Sequence, residues 1–308
     1  MELSHLEVLV AVAEEKGFSR GAERLHRTQP AVSQTVRKLE EEIGRPLFDR
    51  SSNDATLTDA GEVLYAYARQ MLNLRRDARA ALQELGDLRR GKVVMAANEY
   101  TVLHLLPIVS EYRRLHPEVK VEVKRSLASE IPSELLRRDV EVGLLSYRPA
   151  QPGLAAVPVA RDDLALLVAP GHRLARRAAV SIRDLGEESF LAHNVRSPNR
   201  ERVLRTFERY QTPLHIELEL PSLEAIKRLV ERGLGVALMP RRVAEAEIGR
   251  GDVVALTVRE MRFRRPIYVA YRAGADLSQA VRAFLACAKA SPADERPARP
   301  RRRARRPR

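Results

Sequence analysis

Residues 18–50 read FSRGAERLHRTQPAVSQTVRKLEEEIGRPLFDR, and this stretch decides the fold of the N-terminal part. It spells two short helices with a tight break between them and an extended exit. Ser19 belongs to the residue types that cap helix N-termini by accepting a backbone N–H, and it is expected to open the first helix. That helix runs through Ala22 and Leu25 and breaks at His26-Arg27. Thr28 is expected to cap the second, with Pro30 in its first turn, where a missing N–H costs nothing. Val32, Val36, Leu39 and Ile43 then recur at helical spacing as one apolar stripe. Gln29, Ser33 and Arg37 fall on another face. A buried stripe beside a face of Gln, Ser and Arg suits a helix lying in a DNA major groove. Gln pairs with adenine edges, Arg with guanine or phosphate, and Ser with donors or acceptors alike.

Working outward, Leu3, Leu6, Leu9, Val10 and Ala13 predict a helix beneath this pair, with Gly17 beyond its end. Residues 45–56, with Pro46, Ser51, Ser52 and Asn53, read as a β-wing. Thr58 and Asp59 open a long helix in which Leu64, Ala68, Met71, Leu74, Ala78, Leu82, Leu85 and Leu88 recur at spacings of three and four. About 45 Å of such a pattern suits a seam with another helix; packing on its own domain is the plainer alternative.

The order TQPAVSQ (28–34), LEEEIGRPLFDR (39–50) and LTDAG (57–61) resembles the N-terminal domain of LysR-type transcriptional regulators, closely over roughly the first seventy residues and more loosely beyond. The resemblance implies a multidomain, sequence-specific DNA-binding regulator rather than an enzyme. Its parts would be a mainly-α winged helix-turn-helix domain at 1–58 and a linker and dimerisation helix at 59–90. An α/β two-lobed effector domain of the type 2 periplasmic-binding-protein fold would follow at 91–290, and a disordered tail at 291–308. The implied partners are double-stranded operator DNA, a small-molecule effector, and further copies of the chain, as a homodimer assembling into a homotetramer. No cofactor, metal or membrane is implied. Ser19, Arg20, Thr28, Gln29, Pro30, Ser33, Gln34, Arg37, Lys38 and Arg50 are the expected DNA contacts. Three features depart from the family pattern: Ser52-Asn53-Asp54 replaces a basic wing tip, Gln34 stands where Arg is frequent, and Gly21 where Ala is.

From Gly91 the texture changes. Strand-like runs at 92–97, 119–124 and 140–145 alternate with helical runs at 102–115 and 131–138, a βαβαβ pattern that predicts a parallel sheet covered by helices. Further strands are expected at 164–169, 189–193, 215–220, 235–239 and 267–271, with helices at 198–210, 223–232 and 277–289. GLGVALMP at 233–240 fits the family's two-lobed domain.

Ligands of open α/β sheets bind outside the carboxyl ends of the strands, where helix N-termini offer free N–H groups. Four such junctions stand out: Asn98-Glu99-Tyr100-Thr101, Ser126 to Ser129, Asn194 to Ser197 with Arg196 and Arg200, and Pro221-Ser222. The expected effector contacts are Asn98, Glu99, Tyr100, Thr101, Ser126, Ser129, Asn194, Arg196, Ser197 and Ser222, although Ser, Thr and Asn here also suit plain helix capping. Many family members bind small carboxylates or other anions. Glu99 would have to point away from such a ligand, pair with an Arg, or meet an amino or hydroxyl group.

The net charge of +13 at first suggests an acidic partner, but its distribution does not locate the DNA site. Residues 291–308 hold eight Arg against Asp294 and Glu295, whereas residues 1–60 hold eight basic against eleven acidic residues. The face pattern, not the bulk charge, identifies the reading helix. Cys287 is the single cysteine, so no intrachain disulfide is possible and a reducing compartment fits. No run approaches the ~20 apolar residues of a membrane span. The acidic start MELSHLEVLVAVAEEK does not read as a secretory signal, and a soluble, cytoplasmic protein is expected. That opposes a solute-binding protein built on the second part. Against an enzyme stand the lack of a GxxxxGK[ST] or GxSxG motif and seven scattered histidines with no helical metal pair.

Overall fold

The computed structural model describes residues 1–49, 54–84, 91–195, 197–262, 265–274 and 277–290. Arg50, the wing tip at 51–53, Leu85, Leu88, Arg196 and the tail at 291–308 lie outside the described residues.

Helices α1 (Leu3–Glu14), α2 (Phe18–Arg24) and α3 (Gln29–Ile43) enclose a small core of Leu6, Leu9, Val12, Val32, Val36 and Leu39. Ile43, at the end of the apolar stripe, is exposed. The helix starts differ from the sequence expectation. Lys16, not Gly17, takes the left-handed turn after α1 (φ +49°), and α2 begins at Phe18, whose ring meets Phe48 edge-on at 5.3 Å. Ser19 therefore lies inside α2 and caps nothing. Thr28 makes no side-chain cap either; its carbonyl receives Val32 N–H at 3.1 Å. The break between α2 and α3 is carried by His26 at φ +52°. At Gly21 a Cβ would press on the Val12 backbone at 3.0 Å, so glycine here lets α2 lie close on α1.

The wing is pinned by the Phe48–Leu57 bridge and by Asp49 N–H donating to Thr56 at 2.8 Å. Thr58 explains the LTDAG signature. Its hydroxyl donates to the Pro46 carbonyl at 2.8 Å and accepts Gly61 N–H at 3.1 Å, capping α4 (Asp59–Glu84). At Gly61 a Cβ would collide with the Leu47 carbonyl oxygen, so only glycine fits where α4 crosses the base of the wing. The apolar pattern of α4 is split between two faces. Leu64, Ala68 and Leu72 pack on the N-terminal core, while Val63, Tyr67, Met71, Leu74 and Leu82 stand exposed.

The remainder folds into two lobes. The first has strands β1 (Lys92–Ala97), β2 (Lys120–Arg125), β3 (Val142–Leu145) and β4 (Leu154–Asp162), with α5 (Val102–Leu115) and α6 (Ile131–Leu136). The second has β5 (Leu164–Val168), β6 (Ala179–Val180), β7 (Ser189–His193), α7 (Pro198–Arg209), β8 (His215–Leu220), α8 (Leu223–Glu231), β9 (Ala237–Pro240), α9 (Glu245–Arg250) and β10 (Val254–Val258). The chain then returns to the first lobe as β11 (Arg265–Arg272) and ends in α10 (Gln279–Ala290).

The first sheet has the order β2-β1-β3-β11-β4. Its three early strands are parallel as expected, but β11 enters antiparallel between β3 and β4. In the second lobe β5 lies antiparallel to both β9 and β10, beside a separate parallel pair β7-β8. The strands β4, β6 and β10 have no counterpart in the sequence reading. The two lobes are joined where β4 runs into β5 and where β10 returns to β11, and the cleft lies between them.

Helix α4 touches the first lobe through charges. Asp139, buried in the turn after α6, accepts from Arg69 Nη2 at 2.7 Å, Asn73 Nδ2 at 2.9 Å and Arg137 Nε at 3.1 Å. Arg138, left-handed at φ +63°, donates to Asp77 at 3.1 Å and accepts Arg76 on its carbonyl at 2.9 Å. Arg69 in turn lies 3.8 Å from Glu14 of α1, so one helix links both units.

Candidate functional site

Two surfaces gather the chemistry. The first is the outer face of α3. Gln29, Pro30, Gln34, Arg37 and Lys38 are exposed there and Ser33 is half-buried, while Val32, Val36 and Leu39 point into the core. Gln29 Nε2 donates to Ser33 Oγ at 3.0 Å, which orients the Gln amide along the face. Thr28 lies exposed at the start of the same helix, and Ser19 and Arg20 lie exposed on α2. Arg20 is already committed, its Nε and Nη2 donating to the Glu15 and Lys16 carbonyls at 2.7 and 2.6 Å; it closes the C-terminus of α1. A free guanidinium for phosphate is thus better offered by Arg37.

The second is a cleft of about 520 Å³ between the lobes. Its polar end is made by the loops after β1, β2 and β3. Asn98, Glu99, Tyr100 and Ser126 line it, as does Ser197 from the second lobe. Arg196 lies outside the described residues, and Thr101, Ser129, Asn194 and Ser222 fall outside the lining. Thr101 is fully buried, its hydroxyl accepting Asn98 N–H at 3.1 Å and facing the Leu144 carbonyl at 3.4 Å. Asn98 Oδ1 accepts Tyr100 and Thr101 N–H at 3.1 and 2.8 Å, doing the capping that Thr101 was expected to do. Ser129 and Asn194 turn outward and are exposed. Ser222 caps α8 by accepting Ala225 N–H at 3.3 Å.

The opposite end of the cleft is apolar, with Phe190, Val203, Leu214, Ile216 and Leu238 from the second lobe and Leu164 and Met239 where the lobes meet. Across the middle, Asn199 Nδ2 donates to Ser146 Oγ at 2.8 Å, joining the two lobes. Glu99 Oε2 lies 4.0 Å from both the Arg125 guanidinium and His193 Nε2 at the cleft margin and makes no hydrogen bond. Arg200 is held by Glu219 and the His193 carbonyl. Arg265, buried at the start of β11, places its guanidinium 5.4 Å from the Tyr100 ring centre. Burial pushes the Tyr100 hydroxyl well above its ordinary range, against the opposing pull of Arg265.

Arg265, Ser146, Asn199 and Arg125 were not singled out in the sequence. Ser146 follows directly on a predicted strand and offers a local signal; Arg265, in the arginine-rich run RFRRP, offers none. Among the described residues no cluster of metal-ligating side chains exists, and no helix is long and apolar enough to cross a membrane.

Comparisons with known proteins cover both units. Residues 3–62 match the bacterial regulatory helix-turn-helix proteins of the lysR family, and residues 86–293 match the LysR substrate binding domain. The chain is 32% identical over 286 residues to the RuBisCO operon transcriptional regulator of Allochromatium vinosum, covering 92% of this chain and 94% of that protein. It is 31% identical over 290 residues to a probable RuBisCO transcriptional regulator of Synechocystis, covering 92% and 84%. A solved structure of full-length CbnR complexed with its target DNA has the same fold, with a TM-score of 0.72 over 94% of this chain and all of that one, at 22% identity. With both units matched and their order shared along nearly the whole length, the chain belongs to the LysR family of DNA-binding transcriptional regulators.

Proposed function

We propose that this regulator reads a split operator with the exposed face of α3 and adjusts its grip according to a small molecule held in the interlobe cleft. The observation that carries the reading is the division of α3 into a fully buried stripe and an exposed face of Gln29, Pro30, Gln34 and Arg37, with Ser33 hydrogen-bonded into it. Gln29, Ser33 and Gln34 supply base contacts; Arg37 and Lys38 supply phosphate or guanine contacts. Asn98, Glu99, Tyr100, Ser126 and Ser197 belong to the effector wall, joined by Ser146, Asn199 and Arg265.

The domain limits we propose follow the sequence reading: a reading domain at 1–58, a linker helix from 59 and an effector domain from 91. The exposed face of α4, with Tyr67, Met71 and Leu74, supports pairing of two chains, and pairs would then place two reading helices on two half-sites. A cytoplasmic location follows from the need to reach chromosomal DNA. The relatives named for RuBisCO operons make a RuBisCO promoter the first operator to try, beside the region upstream of the protein's own gene.

A mobility-shift titration of the full chain on both DNA fragments, with unrelated DNA as competitor, tests the reading. A retarded band that survives competitor on at least one fragment supports it. Equal affinity for all DNA would overturn it.

A further inference from the structure

The cleft contains a charge that its walls do not balance. Arg265 is 5% exposed, and its Nε and Nη1 have no hydrogen-bond partner among the described residues. No described carboxylate lies within ion-pair distance of it. Asp162, its register partner across β11 and β4, is turned instead to His104 at 3.2 Å and to the Asp163 N–H at 2.8 Å. The hydroxyl of Tyr100, near the same guanidinium, makes no hydrogen bond of normal geometry and has Ser146 as its polar neighbour. Of the other cations of the cleft, Arg200 is held by Glu219, and Arg125 stands largely in solvent 4.0 Å from Glu99, whose Oε2 makes no hydrogen bond. A buried unpaired cation is expensive, and such groups persist where something pairs with them.

Beside this donor pair the wall carries the polar groups of Asn98, Ser126, Ser146 and Asn199, and the opposite end of the cleft is hydrocarbon. The body of a ligand anchored at Arg265 would lie on Phe190, Ile216, Leu238 and Met239, which offer no partners for a string of hydroxyls or a second phosphate. Resting on the effector role proposed above, we infer that the cleft selects a monoanionic acid with an apolar body, its carboxylate bound by Arg265 and the Tyr100 hydroxyl. Arg265 is then the specificity-determining residue for the acid group. One inward cation matches one negative charge; a bisphosphate would leave charge unpaired against Glu99 and the apolar wall.

The test uses the full-length chain, calorimetric titration and thermal unfolding. The probes are octanoate, benzoate, 3-phenylpropanoate and 4-phenylbutanoate, each beside its primary amide, with inorganic phosphate and fructose 1,6-bisphosphate as polar anions. The expected result is that at least one acid binds about tenfold or more tightly than its amide, as one desolvated charge pair can provide. That preference should collapse to near unity in Arg265→Gln, and the ligand-free variant should melt at or above the wild-type midpoint, since an unpaired buried charge has been removed. A lower midpoint would mark Arg265 as structural and count against the inference. Should Arg265→Gln not fold, Tyr100→Phe decides: it keeps the ring under the guanidinium and should still cut the acid preference several-fold. The inference is overturned if no acid is preferred over its amide, if the preference survives in both variants, or if the bisphosphate binds more tightly than every acid. Operator retardation in the same preparation separates the two levels: intact DNA binding without acid selectivity sinks this inference and leaves the regulator reading standing.

Discussion

Arg69, on the linker helix, donates to Asp139 of the effector domain at 2.7 Å, and the same carboxylate accepts Asn73 at 2.9 Å. This contact joins α4 to the first lobe, and Asp139 is buried, so its charge-assisted bonds are worth more than surface ones. Asp139→Asn keeps the shape and removes the charge, at an expected cost of about 1–2 kcal/mol. Cleft ligands should bind the variant as before. Operator affinity measured with and without ligand should differ less than in the wild type, because the linker no longer follows the first lobe.

Removing either partner of the Gln29–Ser33 pair should cut discrimination between operator and random DNA by about 1–3 kcal/mol. Because the two side chains hydrogen-bond at 3.0 Å, the double variant should lose less than the sum of the two single losses. Arg37→Ala should weaken all DNA alike and flatten the salt dependence. Fluorescence anisotropy on operator and scrambled duplexes at several salt concentrations checks all three.

Tyr67 and Leu74 are 57% and 50% exposed on α4, so a charge at either position leaves the core untouched. Tyr67→Glu or Leu74→Glu should shift sedimentation toward the single chain. Operator affinity should fall by at least about tenfold as the second half-site is lost. Unchanged sedimentation in both variants would remove this face from the assembly.

Gly61→Ala places a methyl group against the Leu47 carbonyl oxygen, where α4 crosses the base of the wing. Helix propensity favours Ala, but the overlap is with backbone and dominates; a net loss of about 2–3 kcal/mol is expected in urea unfolding.

Burial, only partly offset by the Val94 N–H that it accepts at 3.1 Å, holds the Glu141 carboxyl above its ordinary range. The folded chain therefore binds this proton more readily than the unfolded one. Its contribution to stability is fully present below the ordinary carboxylate range and is lost as pH rises through the raised folded value. Glu141→Gln keeps an acceptor for Val94 and cannot ionise. Its thermal midpoint should exceed the wild type at about pH 7.5, with the gap closing by about pH 4.

The sequence revealed most where the determinants are local. Pro30, the stripe Val32, Val36 and Leu39, and Thr58 with Gly61 each act within a few residues, and α3 and the start of α4 fall where they point. It revealed least where a structure depends on distant chain. β4 contains Pro158, a poor sign for a strand, and is tolerated because β4 lies at the sheet edge. Arg265 reads as one more surface arginine in RFRRP, yet it is buried because β11 returns from the second lobe to lie between β3 and β4. Ser129, Asn194 and Ser222 were placed by strand-end logic that finds the right end of the sheet and not the direction in which a side chain turns. The exposed seam shows the same limit: spacing alone did not tell Leu64, which faces the domain core, from Tyr67, which faces out.

The double crossing between the lobes has a mechanical consequence. Two paired strands, β4 leaving the first lobe at Asp162 and β11 re-entering it at Arg265, form a spine like that of a book. Points on a spine travel little while the outer edges of the covers swing. An acid held by Arg265 as proposed is thus gripped near the axis, and α7, whose Asn199 reaches Ser146 across the cleft, belongs to the facing cover. The length of the apolar body, not the strength of its charge, then sets how far the covers close.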